Sequence, residues 1–431
     1  MATPLTDTAL ISRRNVAVEI GVLRPPVITN RYIPACVVGC LDGAAVSPAK
    51  RRPGQVIRRA SGQSITPAGD QVSVELEHLR FTPGQDLSAL PGLDGAAPSL
   101  IRDTVSMLLD AGATFIDVLL GRVSGRSPYD LDDAVLIELL QTDLDQMQGA
   151  LLIYPDAGGP VHVRPRPPAA SSERLERLLG LVQRQATAWG ERHQIALFDA
   201  PEVEPEALTD FFARCGSADA IMCRWEGEPT RLSAHGWRSA AAVVASAALL
   251  NIDDLASTTV GFPVNLGPGR AVHTDRRGQL GPSAPRLSAP EGLPLTTVRL
   301  HPRHDTATVE SDVSLRRPAG AWTLPALRTA KAIHFVVRRA TEPFVFRPVQ
   351  GMELYALTSA LTLALEPYQL SGVLVGPTGE GAPEIDGSVD RTAVTPGFLI
   401  EITAQLRPWC HQVRMKVTLH QNQDPSVALS A

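Results

Sequence analysis

The sequence has no run of about 18 or more consecutive apolar residues, which excludes a membrane-spanning helix. Its first residues, Met1 to Asp7, carry neither the charged nor the apolar region of a secretory signal, so a cytoplasmic location is expected. Positive charge is in deficit. Against 45 Asp and Glu stand 40 Lys and Arg, a net charge of −5, which argues against a nucleic-acid partner because phosphate affinity needs clustered cations. Cysteine is sparse and odd in number. Cys36, Cys40, Cys215, Cys223 and Cys410 are scattered, as expected of reduced, mostly buried thiols rather than a disulfide framework. Aromatics make up only 5%, so cores must be filled by Val, Leu and Ala.

What is present is ordinary globular material. Apolar residues are 44% and charged residues 20%, a balance that folds rather than stays disordered. A length of 431 residues accommodates two or three domains. The 34 Gly and 36 Pro predict many turns and short strands.

Catalytic motifs are lacking too. Gly376-Pro-Thr-Gly-Glu-Gly-Ala382 starts like a phosphate loop but has no Lys-Ser/Thr to hold phosphate and metal. Gly121-Arg-Val-Ser124-Gly-Arg is not a Gly-x-Ser-x-Gly nucleophile elbow. His301, His304 and Asp305 flank a Pro and Arg and do not share a helix face, so no metal site is expected. Cys36 and Cys40 fall within an apolar run and read as packing residues, as does Cys410 beside His411. The arginine-rich loops at 51–59 and 270–277 read as solvated or partner-facing surface. Asp156 and Asp199 follow predicted strands, where α/β enzymes place catalytic groups. Asp there is also an ordinary turn former. No catalytic, cofactor-binding or metal-binding residue is assigned, and no cofactor is expected.

In chain order, residues 1–98 form a β-rich segment, with strands at 16–23, 33–41 and 71–81, a basic loop at 47–69 and a linker or cap at 82–97. Residues 99–303 alternate helix and strand. Helices are predicted at 99–112, 131–147, 171–193, 205–215 and 236–250, strands at 115–120, 150–154, 195–198 and 220–225, and a long loop at 251–302. That alternation predicts a largely parallel sheet covered on both faces. Residues 304–431 form an α+β C-terminal part, with a strand at 306–315, a helix at 352–365 and a Gly/Pro loop at 376–387. Strands at 397–406 and 411–420 follow. The last of these alternates strictly, with Val413, Met415, Val417 and Leu419 on one face and Arg414, Lys416, Thr418 and His420 on the other. The tail beyond it is expected to be unpaired, so this terminal strand either completes its own sheet or is lent to a neighbour's.

Several stretches, taken in order, carry a resemblance. They include Leu151-Leu-Ile-Tyr-Pro-Asp156 after Tyr129-Asp-Leu-Asp-Asp133, Trp189-Gly-Glu-Arg-His193 with Ala196-Leu-Phe-Asp-Ala200, and Met222-Cys-Arg-Trp225. Residues 322–329 and 333–339 follow, the latter strand-like, then Phe344-Val-Phe-Arg-Pro348, Leu370-Ser-Gly-Val-Leu-Val-Gly376, Gly397-Phe-Leu-Ile-Glu401 and Arg407-Pro-Trp409. In order and character the chain resembles the contractile tail sheath family, the sheath subunits of phage tails, contractile injection systems and type VI secretion. Arg24-Pro-Pro26, Ile33-Pro-Ala-Cys-Val-Val-Gly39 and Val72-Ser-Val-Glu-Leu-Glu77 resemble the small subunit of type VI sheaths.

The resemblance implies a tail-sheath-like α/β fold ending in an exchangeable strand. It implies a structural protomer, not an enzyme, that polymerises as stacked rings around an inner tube and works by contraction. Implied partners are other copies of the chain, the inner tube protein, baseplate and terminator or cap proteins, and further sheath isoforms, with no nucleic acid and no membrane insertion. The strands implied to exchange between subunits carry Val16, Val18, Ile20 and Val22 at one end and Val413, Met415, Val417 and Leu419 at the other. Two alternatives stand beside this reading, an α/β hydrolase centred on Asp156 and Asp199, and another tail or baseplate component.

Overall fold

The computed structural model describes residues 9–13, 16–20, 35–42, 55–65, 71–92, 99–123, 151–155, 172–187, 194–201, 203, 205–226, 238–250, 259–266, 292–301, 306–316, 322–345, 347–390, 396–407, 411–420 and 426–430. The predicted helix at 131–147, Asp156, Val22 and most of the 251–302 loop lie outside these residues.

The described chain opens with β1 (Ala9–Arg13) and β2 (Val16–Ile20), an antiparallel pair that forms a sheet of its own. Then come β3 (Ala35–Asp42), β4 (Gln55–Ile65), β5 (Gln71–Phe81), α1 (Ile101–Asp110), β6 (Ile116–Val123) and β7 (Leu151–Tyr154). Next are α2 (Ser172–Thr187), β8 (Ile195–Asp199), α3 (Pro205–Cys215), β9 (Ala220–Trp225), α4 (Ala240–Leu250), β10 (Pro263–Asn265), β11 (Leu295–His301) and β12 (Thr306–Val309).

Ten of these strands make one sheet in the order β10-β12-β11-β9-β8-β7-β3-β6-β5-β4. Its middle, β6-β3-β7-β8-β9-β11, is parallel throughout, and the two strands at each side are antiparallel. A parallel sheet needs cover on both faces. That requirement explains the unbroken apolar runs of β7, β8 and β9, whose residues are nearly all buried. Alternate residues such as Val37, Val118, Ile153, Leu197 and Ile221 face α1 and α4, while Val38, Leu152, Phe198 and Met222 face α2 and α3.

Helix α4, Ala-Ala-Ala-Val-Val-Ala-Ser-Ala-Ala-Leu-Leu, is apolar all round and buried from Ala240 to Leu249. Its small side chains suit a helix enclosed on every side. Its first turn is satisfied from outside, because Asp199 Oδ1 accepts from Ala241 N at 2.8 Å and Ser239 Oγ from Ala242 N at 3.1 Å.

The C-terminal part comprises α5 (Leu324–Thr341), a 3-10 turn at Glu342–Phe344, α6 (Gly351–Leu370), β13 (Leu374–Val375), β14 (Glu384–Asp390), β15 (Gly397–Leu406), β16 (His411–His420) and β17 (Ser426–Ser430). Three expectations are corrected. The basic loop at 47–69 contains the eleven-residue strand β4, paired antiparallel with β5 and tied by Arg59 Nε to Glu77 Oε1 at 3.3 Å. The loop at 251–302 contributes β10 and, at its end, β11. The strand-like residues 333–339 are helical. Thr323 caps α5 by accepting from Ala326 N, Pro325 sits in the first turn, and Asp312 Oδ1 accepts from Leu324 N at 2.7 Å.

Helix α5 joins the two sheets. Arg328 Nη1 donates to Ala248 O of α4 at 3.1 Å. Further along, His334 Nε2 donates to Val427 O of β17 at 2.7 Å. Between them Lys331 pairs with Asp219, at the start of β9, with both side chains under 5% exposed. Arg316 lies at 4.0 Å from the same carboxylate, its guanidinium 4.3 Å over the Trp322 ring. Burial pushes the Asp219 carboxyl up and the Lys331 amine down, each opposed by the other's charge. Burial also takes Arg316 down to about 10, against the pull of Asp219. A buried pair of this kind adds little net stability, but losing one partner strands the other charge. Lys331→Met is expected to cost about 3–5 kcal/mol in denaturant unfolding, and adding Asp219→Asn to recover most of it. A single-variant loss below about 1 kcal/mol would show that the pair does not hold α5.

Candidate functional site

The exchange residues named from the sequence fall in two places. Val16, Val18 and Ile20 lie on β2, whose described partner is β1 alone, paired Ala9 to Ile20 through Arg13 to Val16. A lone two-stranded hairpin is marginal in water, so this pair gains most from a third strand. Val413, Met415, Val417 and Leu419 lie on β16 in the C-terminal sheet.

That sheet has β15 and β16 at its centre, paired over ten residues from Gly397–His420 to Leu406–His411. β13 and β14 pair with the far side of β15, and β17 with the far side of β16. Phe398, Ile400, Ile402, Ala404 and Leu406 of β15 join Val413, Met415, Val417 and Leu419 of β16 in the core beneath α5 and α6. The opposite face is polar, and Arg414 Nε meets Glu401 Oε1 there at 2.8 Å. The alternation read from residues 411–420 therefore describes a half-buried strand.

The tail beyond residue 420 is not unpaired, which corrects the sequence reading. β17 adds to β16 with Arg414 opposite Ser430 and Thr418 opposite Ser426. β16 is thus a central strand and β17 the edge. Val413, Met415, Val417 and Leu419 are each at most 2% exposed. At roughly 1.5–3 kcal/mol per side chain, lifting β16 out would expose about 6–12 kcal/mol of buried contact. For β17 the described buried side chain is Val427, joined to the core by one side-chain hydrogen bond, from His334. Composition conceals β17, since Ser-Val-Ala-Leu-Ser carries weak strand signal and its position depends on β16.

The other sequence candidates resolve into structural roles. Asp199 caps α4, while Asp156 lies outside the described residues. The phosphate-loop look-alike is a tight turn between β13 and β14. Gly379 and Gly381 take φ of 88° and 74°, Gly376 N donates to Gly381 O, and Arg407 donates to Gly379 O. A Cβ on Gly376 would meet Glu380 O at 2.3 Å, so the glycine serves close backbone approach. Cys36, Cys215 and Cys223 are buried thiols, and burial takes Cys215 up to about 12, away from reactivity. His301 Nε2 bonds Thr308 Oγ1 at 2.8 Å between β11 and β12. Among the described residues no group of three or more His, Cys, Asp or Glu is placed to hold a metal.

A titratable cluster that the sequence did not single out lies where β5 meets β6. Arg80 donates to both Asp117 oxygens at 2.7 and 2.9 Å, and His78 Nε2 lies 3.3 Å from Oδ1. Burial alone would raise Asp117, but these hydrogen bonds outweigh it and hold the carboxyl below its ordinary range. Arg80 and Asp117 are direct cross-strand partners, so a register-holding pair accounts for the cluster.

No protein-family model matches the sequence, and no curated protein matches it. Solved structures do. A chain in the cryo-EM structure of the anti-feeding prophage baseplate, 6-fold symmetrised, aligns with a TM-score of 0.50 over 88% of this chain and 89% of that one. The two chains share a fold. At 14% identity the likeness is one of architecture, and it spans nearly all of both chains. A chain of the PVC sheath complex, an extracellular contractile injection system in its contracted state, aligns with a TM-score of 0.48 at 13% identity over 90% of each.

The division of β16 into a core face and a solvent face yields a paired expectation. Met415→Ala is expected to destabilise the chain by about 2–5 kcal/mol, and Lys416→Ala one position on by no more than about 0.5 kcal/mol. Equal losses in thermal or denaturant unfolding would contradict the assigned register.

Proposed function

We propose that the chain is a non-enzymatic structural protomer that polymerises into a contractile sheath around an inner tube. Its partners in this reading are further copies of itself, the inner tube protein, and baseplate and terminator or cap proteins, with other sheath isoforms admitted to the same lattice. Assembly takes place in the cytoplasm. The observation that carries the reading is the fold shared, over most of both chains, with a component of the anti-feeding prophage baseplate structure.

The edges of the molecule agree with a polymer. Among the described residues the β1–β2 hairpin pairs with neither larger sheet, and the C-terminal sheet ends on the five-residue strand β17. Strands of this kind bind a neighbour through main-chain hydrogen bonds without a large rigid interface. Val16, Val18, Ile20 and Val22 mark the segment offered at the N-terminal end. Val413, Met415, Val417 and Leu419 fix the register of the C-terminal sheet that takes part in exchange. Contraction would release energy stored in the assembled lattice, so the protomer needs no nucleotide.

A second reading, a ring-forming baseplate component, is favoured by one specific observation, that the aligned chain comes from a baseplate structure. The two differ in what the purified protein builds. Negative-stain electron microscopy is expected to show long hollow tubes. Closed single rings alone would favour the baseplate reading, and a stable monomer or dimer at all concentrations would overturn both.

A further inference from the structure

Helix α6 is apolar on two opposite sides and covered on one. Leu357, Leu361, Leu365 and Tyr368 are buried in the core shared with α5 and the C-terminal sheet. On the reverse side Met352, Tyr355, Leu363 and Leu370 are between 61% and 83% exposed. Their spacing places them along one stripe of the helix, which they share with Ser359 and Glu366. A helix apolar all round calls for cover all round, as α4 has from Ala240 to Leu249. A contiguous apolar stripe of this size marks a contact site.

The other exposed large apolar side chains among the described residues fall in two places. Val56 and Ile57 stand on β4, and Leu250 and Val260 lie at the end of α4 and ahead of β10. Charge separates the two. β4 carries Arg58 and Arg59 and no acidic residue, whereas α6 carries Glu353 and Glu366 and no basic one. No Arg or Lys occurs in residues 239–250 or 259–266, beside Leu250 and Val260. Lengths also agree. The eleven residues of β4 extend about 36 Å and the twenty of α6 about 30 Å. Ile57 is the extra residue of the β4 bulge, outside the register with β5. β4 is an edge strand, and a covering helix is one way such an edge is closed.

Resting on the sheath-protomer reading, we propose that the outer stripe of α6 packs along the β4 edge of a second copy. Leu363 then sits on Ile57, and Glu366, one turn on from Leu363, faces Arg58 and Arg59. The two surfaces differ, so the contact is heterologous. Each copy offers α6 to one neighbour and β4 to another, and repetition propagates a ring or a helix instead of closing a dimer. The contact is made by side chains and is independent of any exchanged strand. Its charges orient the partners more than they hold them, since Glu353 and Arg59 already meet Arg347 at 3.1 Å and Glu77 at 3.3 Å within the chain.

Ile57→Cys and Leu363→Cys single variants, each changed at an exposed position, are mixed, assembled and treated with a short bismaleimide. Intermolecular links between the two introduced thiols are expected by mass spectrometry, and none in the unmodified chain with its five native cysteines. Tubes without links between positions 57 and 363 would overturn the inference while leaving the sheath reading in place. So would links joining two Leu363→Cys chains, which mean that α6 packs on α6. In assemblies supplied with the inner tube protein, links from Leu363→Cys to that protein would overturn it equally. In a second arm, Leu363→Asp is expected to raise the concentration needed for assembly at least about tenfold while leaving the denaturant midpoint of the free subunit unchanged. An unaltered assembly threshold would contradict the contact. Failure of the unmodified chain to assemble at all would overturn the sheath reading and this inference with it.

Discussion

The structure depends on one helix crossing from one sheet to another. α5 begins against the ten-stranded sheet, where Asp312 and Thr323 cap it, Arg328 reaches Ala248 O and Lys331 meets Asp219. It ends against the C-terminal sheet, where His334 reaches Val427 O. An all-apolar helix at this place could slide by a turn and still bury its side chains. Buried charges cannot, because a one-turn slip would leave Asp219 or Lys331 without a counter-charge in a low-dielectric core, at a cost of several kcal/mol. The polar groups of α5 thus specify where the two sheets stand, at the expense of some stability. Under the proposed function, a subunit held in a lattice has use for that specificity.

From that strut outward, stability is unevenly spread. The inner parallel strands β7 and β8 and nearly all of α4 are buried, and β15 and β16 share a continuous core with α5 and α6. Among the described residues β4 and β17 stand at sheet edges, and the β1–β2 hairpin forms a sheet of its own. β4 is long but bulged between Val56 and Arg58 and carries Arg58 and Arg59, features that discourage uncontrolled edge pairing. β10, at the other side of the same sheet, is three residues long and begins with Pro263, which cannot donate to a ladder. The large sheet is therefore defended at both edges, whereas the small C-terminal sheet ends on the five-residue strand β17. Under the proposed function this division assigns rigidity to the body and exchange to the rim.

Much of the body was legible in the sequence because burial on both faces writes a simple code. Leu151-Leu-Ile-Tyr154, Ile195-Ala-Leu-Phe198 and Ala220-Ile-Met-Cys223 are apolar runs of strand length, and each forms a buried parallel strand. β16 was legible for the opposite reason, since a strand with one wet face must alternate. Edges escaped. β4 spells Gln-Val-Ile-Arg-Arg-Ala-Ser-Gly-Gln-Ser-Ile, with too little burial to impose a period, and β17 is five residues whose pairing exists only because β16 is beside it. The strand-like reading of residues 333–339 came with the sheath resemblance, and Ile333, Val336 and Val337, β-branched residues that favour strands, did nothing to oppose it. The capped N-terminus and the buried Arg328, Lys331 and His334 of α5 were invisible as core residues, because charge in a sequence signals surface until its partner is known.

The central claim is that a rigid body built around α5 carries a C-terminal edge strand able to open on its own. Native-state hydrogen exchange of the unassembled chain tests it most directly, because it measures opening free energies element by element. Amides of α5, β15 and β16 should exchange only through global unfolding, while those of β17 should exchange through local opening at far lower free energy. Protection of β17 equal to that of β16 would contradict the account, since a strand that opens only when the whole subunit unfolds cannot be passed to a neighbour.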